Sequence, residues 1–198
     1  MLYAFLKYFF QLLFRFVFRA RVIGADNLPA EGPVILAANH MSNWDPPFLG
    51  CFLHRHVAYM AKEELFEHPI FGAAIRRCHS FPVKRGTGDR GAIKTAVNIL
   101  KQGHCLGLFP EGTRSKTGKM HKAEAGVGLI AALTGAPVVP AAIIGTNRIF
   151  SSGGYLPRLT LIVGKPMHFA GDRRDKEALA AFSQSIMDEI AKMKETAQ

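Results

Sequence analysis

Short apolar runs, each breaking onto a turn and each followed by a segment of helical character, recur through most of this 198-residue chain. Residues 34–38, 57–60, 79–83, 105–109, 138–144 and 159–163 read as strands, and residues 21–24 as a short edge strand. Between them, residues 47–53, 70–77, 89–101, 123–134 and 175–194 read as helices. Ile93, Ala96, Val97 and Leu100 share one helical face, as do Leu179, Phe182, Ile186 and Ile190. Pro69 interrupts a helical start at residues 62–66, and Gly103 stops the helix before it. Such alternation predicts an α/β fold: a single domain whose mixed, largely parallel sheet is flanked by helices, with active loops at the carboxyl ends of the strands. There is no internal repeat and no second globular domain. Gly126 and Gly128 predict close contact between helix and sheet; no GxGxxG follows a strand, so they do not read as a nucleotide loop.

Two strand ends carry chemistry. The run at residues 34–38 delivers Asn39-His40-Met41-Ser42-Asn43-Trp44-Asp45, and the Pro46-Pro47 pair turns the chain into a helix. An imidazole accepts a proton from an alcohol near neutral pH. A carboxylate on its far nitrogen fixes the tautomer and steadies the imidazolium that forms. No serine or cysteine is placed as a nucleophile, so His40 is expected to deprotonate a hydroxyl of the substrate directly, with Asp45 orienting it. The residues do not identify the oxyanion donors; backbone N–H groups near His40 are candidates. The run at residues 105–109 delivers Pro110-Glu111-Gly112-Thr113-Arg114-Ser115. Here Pro110 restricts the backbone, Gly112 permits a sharp turn, and Arg114 offers a planar fork for phosphate oxygens. Glu111 can hold a glycerol hydroxyl or clamp Arg114, and the residues leave both open. Lys84 and Arg85, at a strand end beside glycines, also suit a phosphate.

Together the two stretches resemble the glycerolipid acyltransferase family, the enzymes that acylate lysophosphatidic acid or glycerol 3-phosphate. The family's Asn-His-x4-Asp motif is matched by Asn39, His40 and Asp45. Its Phe-Pro-Glu-Gly-Thr-Arg-Ser motif is matched at every position from Phe109 to Ser115. Residues 81–86 are similar to its looser second motif, a basic residue after a strand, and residues 138–143 to its fourth, an apolar strand bearing proline. The resemblance implies that His40 and Asp45 are catalytic and that Lys84, Arg85, Glu111, Gly112, Thr113, Arg114 and Lys122 bind substrate. It implies acyl transfer to the sn-2 hydroxyl of lysophosphatidic acid, giving phosphatidic acid for phospholipid biosynthesis. No bound cofactor or metal is expected; acyl-CoA or acyl carrier protein enters as co-substrate. Other lysophospholipids and glycerol 3-phosphate are the alternative acceptors.

The formal net charge of +10 calls for an anionic partner. A nucleic-acid binder would interleave cations with aromatics, and here the rings cluster at the N-terminus. Residues 1–19 are apolar and mostly aromatic, apart from Lys7, Gln11, Arg15 and Arg19 at every fourth position. That spacing predicts an amphipathic helix lying in an anionic membrane interface, with one basic stripe at the headgroups. Residues 20–198 then form the acyltransferase domain. A non-catalytic, basic membrane-binding protein is the alternative from another class. The three cysteines, Cys51, Cys78 and Cys105, form no CxxC pair, which points to a reducing compartment. The expected location is the cytoplasmic face of a bacterial inner membrane.

Overall fold

Val34–Ala38 (β2) is buried at every position and occupies the middle of a seven-stranded sheet. A computed structural model describes residues 2–84, 89–115, 119–151 and 156–197. The other described strands are Arg21–Ile23 (β1), Val57–Lys62 (β3), Phe81–Val83 (β4), Cys105–Leu108 (β5), Val138–Ile144 (β6) and Thr160–Val163 (β7). They lie in the order β1-β7-β6-β2-β5-β3-β4. From β6 to β4 every pairing is parallel. The β7 strand runs antiparallel to β6, and β1 runs parallel to β7, so the sheet is mixed at one end. Strands buried on both faces need no alternation of polar residues, which is why the central runs are continuously apolar.

The two faces carry separate cores. Val34, Leu36 and Ala38 point to one side with Phe14, Phe18, Phe48 and Leu161; Ile35 and Ala37 point to the other with Leu100, Ile130, Ile186 and Ile190. This is the period-two rule acting on one strand. The first face is covered by Leu2–Leu12 (α1) and Asp45–Phe52 (α2). The second is covered by Arg90–Lys101 (α4), Gly126–Thr134 (α5) and Lys176–Glu195 (α6). Pro69–Arg77 (α3) leads into the edge strand β4. Both Asp89 and Asp175 cap their helices, accepting from Ala92 N–H and Ala178 N–H. Gly103 has φ +78°, the left-handed conformation that ends α4 cleanly.

Three local expectations are corrected. The α5 helix starts at Gly126, not at residue 123. The backbone N–H of Glu124 donates to the carbonyl of Pro110 at 2.8 Å, which ties this stretch to the neighbouring loop. Gly128 makes its close approach to another helix, not to the sheet. A Cβ there would lie 2.4 Å from the Leu179 carbonyl oxygen and 2.8 Å from Ser183 Oγ, both on α6, whereas one on Gly126 would meet nothing within 4 Å. The single basic stripe at the N-terminus does not form. Lys7 turns inward, and its ammonium donates to the Leu53 carbonyl at 2.6 Å, where α2 ends. A helix C-terminus attracts a cation, and burial pushes this amine down. A widened π-helical stretch at Leu13–Val17 then changes the register, leaving Arg15 exposed.

Gly128→Ala should force α5 and α6 apart. We expect Tm to fall by about 3–10 °C in a thermal melt, the range for overpacking a tight contact in a domain of this size. An unchanged Tm would show that the interface can give.

Candidate active site

The β2 ladder ends at Ala38, and the Asn39 side chain continues it. Asn39 Nδ2 donates to the Ile143 carbonyl at 2.9 Å, and Ile143 N–H donates to Asn39 Oδ1 at 2.7 Å. The amide thus imitates one more peptide unit opposite β6, while the main chain is released to turn at His40. Asn39 is fully buried, so both bonds are needed to satisfy the strand edge.

His40 and Asp45 meet as the sequence predicts. Nδ1 of His40 lies 2.9 Å from Asp45 Oδ2, and both residues are buried. The same oxygen accepts from the N–H groups of Met41 and Ser42, each at 2.7 Å. Oδ1 of Asp45 accepts from the Thr146 hydroxyl at the end of β6. With its carboxylate held from four directions, Asp45 fixes the ring and leaves Nε2 to meet a substrate. The flat face of the His40 ring lies against Phe109, with centroids 4.0 Å apart and planes 19° from parallel. Tyr59 stacks in turn on Phe109, and space for the Tyr59 ring exists because residue 107 is glycine: a Cβ there would lie 2.5 Å from Tyr59 Cε1.

Glu111 does not clamp Arg114. Its carboxylate is 4% exposed; Oε1 accepts from His40 N–H at 2.8 Å and Oε2 from His121 N–H at 2.9 Å. It therefore ties the β5 loop to the β2 loop and to the segment before α5. A further strand of the same lacing is Ser115 N–H donating to the His40 carbonyl at 2.9 Å. Arg114 is held instead by Asn43, whose Oδ1 accepts from the guanidinium at 2.8 Å, while Arg114 itself remains exposed. Gly112 has φ +66°, the left-handed conformation that favours glycine, and the end of the exposed Glu124 side chain lies against its open face. Thr113 is exposed beside it, with its N–H donating to the Glu111 carbonyl.

The expectation about oxyanion donors is overturned for the nearest groups. The N–H groups of His40, Met41 and Ser42 all point at carboxylates and are already engaged. Lys84 sits after β4, two strands beyond β5 and at the same end of the parallel block, with Nζ 3.8 Å from Glu63. Arg85 lies outside the described residues. Lys122 is exposed next to His121, on the segment that Glu111 anchors. Local spacing does not single out Asn43, Thr146 or Phe109 as site residues. Their roles come from contacts between residues 71 to 101 positions apart, or from a ring stack, and neither leaves a mark in local spacing.

Among the described residues, no cysteine or serine is hydrogen-bonded to His40 as a nucleophile would be. Burial pushes the Cys51 and Cys105 thiols up to about 12, and raises Cys78 as well. At neutral pH they carry little thiolate. The buried Ser115 hydroxyl makes no hydrogen bond among the described residues, to His40 or to any other group. The arrangement thus brings together an imidazole, a carboxylate on its Nδ1, and a guanidinium bonded to Asn43 of the same loop. Glu111→Gln tests the lacing, because an amide can accept from only one of the two N–H groups and must turn its NH2 toward the other. We expect kcat in an acyl-transfer assay to fall about ten- to a hundredfold, with a lower Tm, as for a buried donor left unpaired. Unchanged turnover would mean the loops hold without it.

A family model described as Acyltransferase matches residues 19–144. The chain is 34% identical over 179 residues to the 1-acyl-sn-glycerol-3-phosphate acyltransferase of Bacillus subtilis, covering 87% of each protein. It is 31% identical over 179 residues to a chloroplastic 1-acyl-sn-glycerol-3-phosphate acyltransferase of Arabidopsis thaliana, covering 85% of this chain and 49% of that one, so it spans about half the length of that relative. Among solved structures, the crystal structure of the 1-acyl-sn-glycerophosphate (LPA) acyltransferase PlsC from Thermotoga maritima superposes with a TM-score of 0.75 at 27% identity, covering 96% of this chain and 79% of that one. A dyad at Asn-His-x4-Asp, an arginine loop laced to it, and these likenesses in both sequence and fold lead to one conclusion: this chain belongs to the acyltransferase family.

Proposed function

We propose that the chain transfers a fatty acyl group from an acyl thioester to the sn-2 hydroxyl of 1-acyl-sn-glycerol 3-phosphate, giving phosphatidic acid. The observation that carries this reading is the Arg114–Asn43 hydrogen bond, which brings the phosphate-binding fork onto the loop that also bears His40 and Asp45. A substrate whose phosphate sits on Arg114 places a hydroxyl of its glycerol unit near His40, so part of the orientation cost is met by binding. Nε2 takes the hydroxyl proton, the oxygen attacks the thioester carbonyl, and the tetrahedral adduct collapses. The carbon–sulfur bond breaks, and the thiolate leaves as a thiol with the proton from His40. No acyl-enzyme is formed. Lys84, after β4 at the same end of the sheet, and Lys122, exposed beside His121, add positive charge around this face, and Arg85 is the further cation proposed for the phosphate. The donor is acyl-CoA or acyl carrier protein, and the reaction needs no resident cofactor.

The same reading places the protein at a membrane. No helix among the described residues is long and apolar enough to cross one. Yet Phe5, Tyr8 and Phe16 are 66%, 69% and 73% exposed, with Phe9 and Leu12 beside them. Phe10 and Phe14, on the inner side of the segment, pack edge-on against Trp44, the residue before Asp45. The exposed rings dip into one leaflet at the cytoplasmic face of the inner membrane, and the catalytic loop sits directly behind them. Residues 1–19 are therefore both anchor and core: Phe14 and Phe18 are buried with the sheet, and removing the whole segment would strip that core.

His40→Ala and Arg114→Ala should separate in kinetics. We expect the first to cut kcat by about 10²–10⁴ with little effect on KM, as for loss of a general base. The second should raise KM for the phosphorylated acceptor about ten- to a hundredfold. Release of free thiol that depends on acceptor is the readout, and near-normal turnover of His40→Ala would remove the base from this account. For the membrane face, the triple variant Phe5→Ser, Phe9→Ser, Phe16→Ser spares Phe14 and Phe18. We expect it to move from the vesicle pellet to the supernatant, since each buried ring contributes about 1.5–3 kcal/mol of partitioning. Full retention on the vesicles would rule out this face as the anchor.

A further inference from the structure

The last helix returns to the active site and brings a cation with it. Lys194 follows Ile190 by four residues, so it lies on the buried side of α6. Its side chain is only partly buried, and Nζ reaches Met41 Sδ at 3.8 Å, beside the catalytic histidine. A thioether is a weak acceptor and does not repay the removal of an ammonium from water. Nearby charge offsets part of that cost. Burial lowers the Lys194 amine, while attraction to Glu111 and Asp45 pulls it back up. Those two carboxylates are 4% and 0% exposed.

The charged and titratable groups around His40 come from several elements. Asp45 faces it from the start of α2, and Glu111 and Arg114 come from the loop after β5. Tyr59 of β3 stands behind Phe109, and burial holds its phenol neutral. His121, Lys122 and Glu124 lie exposed on the segment before α5. From the α6 side comes Lys194. Asp45 on the ring Nδ1 and Glu111 on the backbone N–H set two negative charges on His40, and negative charge beside an imidazole favours its protonated form. A protonated imidazole cannot take the proton of a hydroxyl.

We propose that Lys194 is a positioning residue of the acyl transfer: its ammonium, set against Met41, offsets Asp45 and Glu111 and keeps His40 in the form that accepts a proton. This rests on the reading of His40 as the base. The lysine touches neither substrate nor proton; it acts through the two carboxylates and the loop that Met41 begins.

The test compares Lys194→Gln, Lys194→Arg and Lys192→Gln in the full-length chain. Lys192 lies on the exposed side of the same helix, near Glu189, and controls for loss of one positive charge. The readouts are the pH profile of kcat/KM and the NMR titration of the His40 ring, assigned by its loss in His40→Gln. With the cation gone, the imidazolium is favoured to higher pH. We expect Lys194→Gln to move the acid limb and the ring titration upward by about half a pH unit or more, the effect of one charge at close range in a partly wet site. Lys194→Arg should restore both, and Lys192→Gln should move neither. An unmoved limb and an unmoved titration in Lys194→Gln would overturn the inference. So would a lower Tm with both unmoved, which marks a packing role, or a higher acceptor KM with both unmoved, which marks a substrate ligand. The ring titration needs no substrate. If the wild-type chain fails to acylate its acceptor while the titration still shifts, the proposed reaction fails and the electrostatic coupling stands.

Discussion

Two carboxylates with almost no access to water hold this active site in shape. Asp45 accepts from the His40 ring, from the N–H groups of Met41 and Ser42, and from the Thr146 hydroxyl. Glu111 accepts from the N–H groups of His40 and His121. A buried carboxylate is costly unless its lone pairs are used, so each one draws its donors inward and fixes the loops that carry them. The result is that the loop after β2, the loop after β5, the segment before α5 and the end of β6 cannot move independently. Catalytic geometry here is a by-product of satisfying buried charge.

The sheet decides which loops are available to be drawn together. Because β2 lies between β5 and β6 with all three parallel, their carboxyl ends open on the same side within one strand spacing of each other. Asn39 then keeps the strand edge satisfied while the chain turns, and the Tyr59–Phe109–His40 stack gives the imidazole a rigid floor. Glycine at 107 admits the Tyr59 ring, and glycine at 112 admits the Glu124 carboxylate. Each is a backbone position where a methyl group would occupy space that a neighbouring side chain already fills.

The two ends of the chain serve the same site from opposite faces of the sheet. At the N-terminus, Phe14 and Phe18 join the core under β2 while Phe5, Tyr8 and Phe16 remain outside, so one segment both packs on Trp44 and presents rings outward. At the other end, α6 crosses the second core through Ile186, Ile190 and Met193 and delivers Lys194 to Met41. An active-site loop held between two such helices has little room to respond to one without the other.

Local spacing was enough to place the strands, most of the helices, and the meeting of His40 with Asp45, because a five-residue loop after a strand leaves those side chains few other places to go. It was also enough to aim Arg114 at the same end of the sheet, since parallel strands put their loops on one side. It could not decide what Glu111 holds, whether Lys7 faces lipid or the end of α2, where α5 begins, or that Lys194 reaches Met41. In each of those cases the partner is remote in sequence, and for Glu111, Lys7 and the start of α5 the choice follows from a backbone donor or carbonyl that needs a partner. Such needs exist only once the sheet has closed over them, so they belong to the tertiary structure alone.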